Sequence, residues 1–187
     1  LFSHPSNPKG KTHVSPTSFS DIRDRVILCG SFSKKYALTG YRVGYVFADK
    51  GIMNHMLKVH DALAICAPTI SQKAAITALR GGQESVEEFA KKLGENRQLM
   101  CEKLDELSDF LEYQKPEGAY YILAKYQKPQ MPSAVLAVKI LNEARVVVIP
   151  GIAFGPYGEG HLRFSFACSP EEIVEGFRRL NDWVSKN

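Results

Sequence analysis

The stretch "GSFSKKYALTGYRVGY", Gly30 to Tyr45, continues directly from the apolar run "RVILCG", Arg25 to Gly30. It sets Lys34, Lys35 and Arg42 among Ser31, Ser33, three tyrosines and the glycines Gly40 and Gly44. A short β-branched run ending in glycine reads as a buried strand, and "YRVGYVFA", Tyr41 to Ala48, reads as a second one. Cations and hydroxyls are therefore concentrated in the connection between two strands. Any one of these cations alone would be an ordinary solvated loop residue. Together they form a donor set suited to an anion.

Three chemistries use a lysine placed in this way. A phosphate-binding P-loop requires G-x-x-x-x-G-K-[ST], but Ser33 precedes Lys34 and no Ser or Thr follows Lys35. Ser31-Phe32-Ser33-Lys34 matches the S-x-x-K of penicillin-recognising enzymes, yet their downstream K-T-G strand is absent and the nearest segment is Leu38-Thr39-Gly40. The third is a Schiff-base lysine holding pyridoxal phosphate. Lys34 supplies the amine, Ser31 and Ser33 supply hydroxyls, and Arg42 follows eight residues after the lysine. A planar guanidinium donates two parallel hydrogen bonds to a phosphate. Gly40 and Gly44 allow the backbone to turn and come close to a ligand.

Working outward, residues 1–20 are rich in Ser, Pro, Gly and Thr and predict irregular chain. The segment from Asp49 to about Ala64 predicts a helix punctuated by Pro68, and "TISQKAAITALRGG" predicts another closed by two glycines. The longest helical pattern runs from Glu84 to Leu111, through Val86, Phe89, Leu93, Leu104 and Leu107. Beyond it, "FLEYQ", "GAYYILAKY", "VVVIPG" and "HLRFSFA" read as strands and "PSAVLAVKILNEA" as a helix. "SPEEIVEGFRRLNDWV" predicts a final helix with Ser169 as N-cap, Pro170 at N1 and Glu172 closing a capping box. An α/β first part is thus joined by one long helix to an α+β second part, without internal repeats.

Composition excludes several classes. With 44% hydrophobic and 24% charged residues, the 187-residue chain has the make-up of a globular protein rather than a disordered one. A net charge of +4, with Lys and Arg scattered beside acids, provides no basic arm for nucleic acid. No apolar run approaches the roughly 18 residues that suggest a bilayer span, and the N-terminus lacks the apolar core of a signal peptide. Cys29, Cys66, Cys101 and Cys168 form no C-x-x-C pair and predict buried free thiols in a reducing cytoplasm. His55 and His60 are five apart, off the i, i+4 spacing of a helical zinc site, so no metal is expected. A lone Arg163 inside "LRFSFA" should meet an anion, with a structural ion pair as the alternative.

"SFSKKYALTGYRVGY" resembles the pyridoxal phosphate attachment pattern of class I/II aminotransferases, the aspartate aminotransferase-like group of fold type I. That pattern is S-x-S-K-x-x-x-x-T-G-x-R-x-G, and every fixed position is filled. "PEGAYYIL", Pro116 to Leu123, is similar to the family's P-x-G-A-[FY]-Y strand. "VVVIPGIAFGPYGEGHLRFSFA", Val146 to Ala167, is similar to its V-x-V-x-P-G-x-x-F-G…R-[IFL]-S-x-A segment. These three ordered motifs cover essentially the whole chain.

The resemblance implies that Lys34 forms the aldimine with pyridoxal 5'-phosphate. It further implies that Ser31, Ser33 and Arg42 bind the cofactor phosphate and that Arg163 clamps the substrate α-carboxylate. The implied fold is α/β, a fragment of a fold type I pyridoxal phosphate transferase. Residues 1–83 would be a remnant of the large-domain sheet and 84–187 a small C-terminal α+β domain. The implied activity is amino-group transfer between an amino acid and a 2-oxo acid, in a cytoplasmic homodimer. A lyase or synthase of the same fold, or a ligand-sensor domain of a transcription regulator, is the alternative. Family members are about twice this length, and their ring-stacking aromatic and ring-nitrogen Asp are not recognisable here. The chain is accordingly expected to be the C-terminal half of an enzyme, inactive by itself.

Overall fold

The computed structural model describes residues 14–186, so the irregular chain expected over 1–13 lies outside the described residues. Two compact units meet in the sequence at Ala90 and Lys91. That junction lies inside one continuous helix, α4 (Gln83–Asp105).

In the first unit, 3-10 turns at Pro16–Ser18 and Ser20–Arg25 occupy chain that the sequence pattern leaves as loop and the first residue of a strand. Next come β1 (Leu28–Ser31), the single helical turn α1 (Phe32–Lys35), a 3-10 turn at Thr39–Tyr41 and β2 (Gly44–Phe47). β1 and β2 pair antiparallel, Leu28 opposite Phe47 and Ser31 opposite Gly44. A Cβ on Gly44 would lie 2.6 Å from the Gly30 carbonyl oxygen, so this register requires glycine there. The expectation of buried strands is corrected, since neither strand has a buried residue. Each has one hydrogen-bonded neighbour, and a two-stranded ribbon covers little of its own surface.

Helices α2 (Lys50–Leu63) and α3 (Thr69–Gly81) follow as the sequence predicts, separated at Pro68. Asp49 caps α2 by accepting the Gly51 N–H at 2.7 Å, yet α2 has no buried residue. Cys29, Cys66 and Cys168 are exposed and only Cys101 is buried, which corrects the expectation of four buried thiols. Apolar neighbours in sequence do not cover a residue on an open ribbon, in an interhelical loop or at a helix entry.

The second unit is built on a four-stranded antiparallel sheet in the order β3-β4-β6-β5. Its strands are β3 (Leu111–Tyr113), β4 (Tyr121–Tyr126), β5 (Ile149–Pro150) and β6 (His161–Ser165). Alternation along β4 and β6 sends Ile122, Ala124, Leu162 and Phe164 into the core. Helices α5 (Ser133–Ala144) and α6 (Pro170–Val184) contribute Leu136, Ile140, Ile173, Phe177 and Leu180. Phe164 stacks on Phe177 at 5.7 Å and Phe110 meets Trp183 edge-on at 6.1 Å. Buried Asn96 donates to the carbonyls of Phe166 and Cys168 at 3.0 and 2.7 Å. The capping box predicted for α6 is present, with Ser169 and Glu172 bonded reciprocally.

Two predicted boundaries move. α4 ends at Asp105, and Leu107 and Leu111 reach the core from a turn and from β3. Helical spacing therefore continued over residues that are buried without being helical. The strand expected over "VVVIPG" shrinks to Ile149–Pro150, at the sheet edge where a proline without an N–H is tolerated. Among the described residues no helix is long and apolar enough to cross a membrane, and no cluster of His, Cys, Asp or Glu could hold a metal ion.

Candidate functional site

Lys34 sits in α1, whose start is fixed from both sides. The Ser31 hydroxyl accepts the Ser33 N–H at 3.1 Å as N-cap. Phe32, only 5% exposed, packs against the rings of Tyr45 and Tyr36 at 5.5 and 5.7 Å. Ala37, at φ +54°, turns the chain out of this helix. Thr39 Oγ1 then reaches back to donate to the Ser33 carbonyl at 3.0 Å. Arg42 is itself left-handed, at φ +53°, and its Nη1 donates to the Thr39 carbonyl at 2.8 Å. Ser31, Ser33, Lys34 and Arg42 are thus parts of one hydrogen-bonded turn, with Ser31, Lys34 and Arg42 exposed and Ser33 half-buried.

This donor set fits a phosphate dianion beside an aldehyde. Ser31 uses its oxygen as the acceptor in the cap, so its hydroxyl proton is still available to donate. Arg42 bonds Thr39 through Nη1, one edge of a fork that carries five N–H groups. The primary amine of Lys34 is the group an aldehyde requires.

In the second unit Arg163 lies on β6 opposite Leu123 of β4. Its guanidinium stands 4.1 Å from the ring centre of Tyr121 and 5.0 Å from that of Phe154. Its Nε is buried with no hydrogen-bond partner among the described residues. Among the described residues the ion pair considered from sequence does not form; aromatic faces hold the cation instead. Such packing orients a guanidinium without neutralising it, and its charge and hydrogen-bond capacity remain for a carboxylate.

Phe154 is placed by a loop folded on itself. Gly151 and Gly158 approach so closely that a Cβ on Gly151 would meet the Gly158 carbonyl oxygen at 1.9 Å. Glu159 ties the loop to the start of α5. Its Oε1 accepts from the Ser133 N–H at 2.6 Å and from the Tyr126 hydroxyl at 3.3 Å, and its Oε2 from Ser133 Oγ at 3.1 Å. These bonds, the Ser133 N–H foremost, hold the Glu159 carboxyl below its usual range. Burial, followed by the Glu159 charge, pushes the Tyr126 phenol up.

Sequence reasoning selected Ser31, Ser33, Lys34, Arg42 and Arg163 but not their supports. Thr39, Tyr121 and Phe154 occupy fixed positions of the three motifs, so a signal for them existed. Glu159 and Ser133 carried none, because their contact joins residues 26 apart in sequence.

A chain with this lysine turn and this α+β second unit has the construction of a pyridoxal-phosphate-dependent enzyme. The model of the family "Aminotransferase class I and II" matches residues 6–180. The "Probable N-acetyl-LL-diaminopimelate aminotransferase" of Bacillus subtilis is 37% identical over 180 residues, covering 94% of this chain and 44% of that protein. The aspartate aminotransferase of Pyrococcus horikoshii is 36% identical over 159 residues, covering 84% of this chain and 40% of that one. In the crystal structure of an aromatic aminotransferase from Pyrococcus horikoshii OT3 the fold recurs with a TM-score of 0.88 at 35% identity, over 94% of this chain and 47% of that one. The protein therefore belongs to the class I and II aminotransferases, and it spans less than half the length of these relatives. Membership implies pyridoxal 5'-phosphate as the cofactor.

Proposed function

We propose that this chain carries the lysine, phosphate-binding and carboxylate-binding groups of an aminotransferase acting on an amino acid and a 2-oxo acid. When bound, pyridoxal 5'-phosphate supplies an aldehyde and an electron-withdrawing ring. Lys34 Nζ would be the amine that holds this aldehyde, with loss of water, and, once a substrate amine has displaced it, the base that takes and returns the substrate α-proton. Ser31, Ser33 and Arg42 hold the phosphate dianion by charge-assisted hydrogen bonds. Arg163, fixed between Tyr121 and Phe154, orients the substrate α-carboxylate. The observation that carries this reading is the single hydrogen-bonded turn joining Ser31, Ser33, Thr39 and Arg42 around Lys34.

In the same reading residues 1–83 belong to the cofactor-binding large domain and 84–187 to the small α+β domain. The protein works as a cytoplasmic homodimer. Cysteines without disulfides agree with a reducing compartment. Exposed Leu57, Leu63, Ile65 and Ile70 on the first unit agree with a surface that a partner covers. The relatives' names state different substrates, N-acetyl-LL-diaminopimelate for one, aspartate for another and aromatic for a third.

The reading is tested by incubating the chain with pyridoxal phosphate, reducing with borohydride and mapping the labelled peptide. Label concentrated on Lys34 and abolished by Lys34→Ala is expected. Label favouring Lys35, or spread evenly over surface lysines, would overturn the assignment. In a polypeptide completed to the length of its relatives, Arg163→Ala should raise KM for amino acids about a hundredfold or more, as loss of a charged hydrogen-bond pair predicts.

A further inference from the structure

We infer that Ser71, on α3, is a positioning residue for phosphate recognition by Arg42; this rests on the reading of Arg42 as a phosphate ligand. Arg42 adopts φ +53° and ψ +44°, a left-handed conformation that L-residues rarely hold as single residues unless the surroundings impose it. Glycines stand two residues to either side, at Gly40 and Gly44, yet the left-handed position itself carries the arginine. Something must therefore hold it there.

The holding contact comes from another element. Ser71 Oγ donates to the Tyr41 carbonyl at 2.6 Å, across thirty positions of sequence. That carbonyl belongs to the peptide plane joining Tyr41 to Arg42, so fixing its oxygen fixes the plane from which the Arg42 φ is measured. Ser71 is only 2% exposed, so its hydroxyl has no solvent to turn to if this bond is lost. Arg42 also bonds within the turn itself. Its Nη1 bonds the Thr39 carbonyl, and Thr39 Oγ1 bonds the Ser33 carbonyl, which belongs to the peptide joining Ser33 to Lys34. The other bonds of the set are local to residues 31–42, and the one from Ser71 ties them to α3.

The phosphate, not the aldehyde, is what Arg42 reads, and this separates positioning from general stability. Pyridoxal 5'-phosphate and pyridoxal share the aldehyde and ring and differ in the phosphate. In the full chain, borohydride trapping on Lys34 is measured against the concentration of each, in the wild type, Ser71→Ala, Ser71→Cys and Arg42→Ala. Ser71→Ala should weaken half-saturation by pyridoxal phosphate about five- to tenfold, the scale of one lost buried hydrogen bond, and leave pyridoxal unchanged. Ser71→Cys, near-isosteric with a weak S–H donor, should fall between.

Backbone NMR shifts of Arg42 provide a readout independent of binding: they should leave left-handed values in Ser71→Ala while the melting temperature stays within a few degrees. An equal loss for both ligands would make Ser71 a merely structural residue and overturn the proposal. Left-handed Arg42 shifts retained in Ser71→Ala would overturn it as well. If Arg42→Ala itself leaves the preference for pyridoxal phosphate intact, the phosphate role of Arg42 fails. The Arg42 shifts in Ser71→Ala then decide separately whether Ser71 holds the turn.

Discussion

The two units hold Arg42 and Arg163 by opposite means. Arg163 stands on a strand of a sheet whose inner face is packed with Ile122, Ala124, Leu162 and Phe164, beneath helices that bury Leu136, Ile140, Phe177 and Leu180. Its position follows from a core. Arg42 stands in a turn of a unit whose buried apolar side chains, among the described residues, are Phe32, Ala75, Val86 and Ala90. That unit leaves Phe47, Leu63, Ile65 and Ile70 more than half exposed. Its turn is ordered by hydrogen bonds from Ser31, Thr39 and Ser71 instead. Dispersion and burial order the surroundings of Arg163, whereas polar bonds order those of Arg42. Net hydrogen-bond contributions are about 1 kcal/mol each, and burying one large apolar side chain is worth about 1.5–3 kcal/mol. The first unit should be the more easily perturbed.

The sharpest way to break this contrast is a pair of truncations. Phe166→Ala, at a fully buried position, should destabilise the second unit by about 3–5 kcal/mol. Leu63→Ala, at a side chain 81% exposed, should fall within about 0.5 kcal/mol of the parent chain. Denaturant unfolding followed by Trp183 fluorescence and far-UV circular dichroism checks both. A large loss from Leu63→Ala would mean that the first unit uses that surface in the isolated chain.

A smaller effect sharpens the comparison at equal chemistry. Ser169→Ala removes the cap of α6 and Asp49→Ala that of α2, each a change of about 1 kcal/mol. In the second unit the loss should appear in the cooperative unfolding midpoint, because α6 lies over the core. In the first it should appear as local fraying, read as faster hydrogen exchange in residues 50–54 without a shift of that midpoint.

The smallest effect is electrostatic. Side-chain hydrogen bonds from Arg178 and Arg179 hold the Glu175 carboxyl down at about 2, below its ordinary 4.5. A folded value below the unfolded one stabilises above about pH 4.5, and the contribution disappears as pH falls toward 2. These side chains are on the surface of α6, so the gain is modest. Glu175→Gln should show a shallower loss of stability between pH 4.5 and 2 than the parent chain, by denaturant titration at each pH. Parallel slopes would show that the pair is too solvated to matter.

Local chemistry made much of this protein legible. Pro68 separates α2 from α3, paired glycines close α3, and Ser169-Pro170 with Glu172 opens α6, each because a cap or a breaker acts within a few residues. The strands β4 and β6 were equally readable as strands. Spacing failed where buried chain leaves the helix, since Leu107 and Leu111 keep helical intervals from a turn and a strand. It failed again for Cys29, Cys66 and Cys168, which are exposed despite apolar or helical sequence surroundings.

By itself, the sequence determined the residue types suited to the proposed chemistry: an amine at Lys34, hydroxyls at Ser31 and Ser33, and guanidinia at Arg42 and Arg163, in family order. These are properties of side chains and short spacings. Only the tertiary structure decided what holds them. Ser71 meets Tyr41, Glu159 meets Ser133, and Tyr121 and Phe154 enclose Arg163 through contacts between residues distant in sequence. No local propensity encodes such pairs; they arise when packing brings separate elements within hydrogen-bond or ring-contact distance.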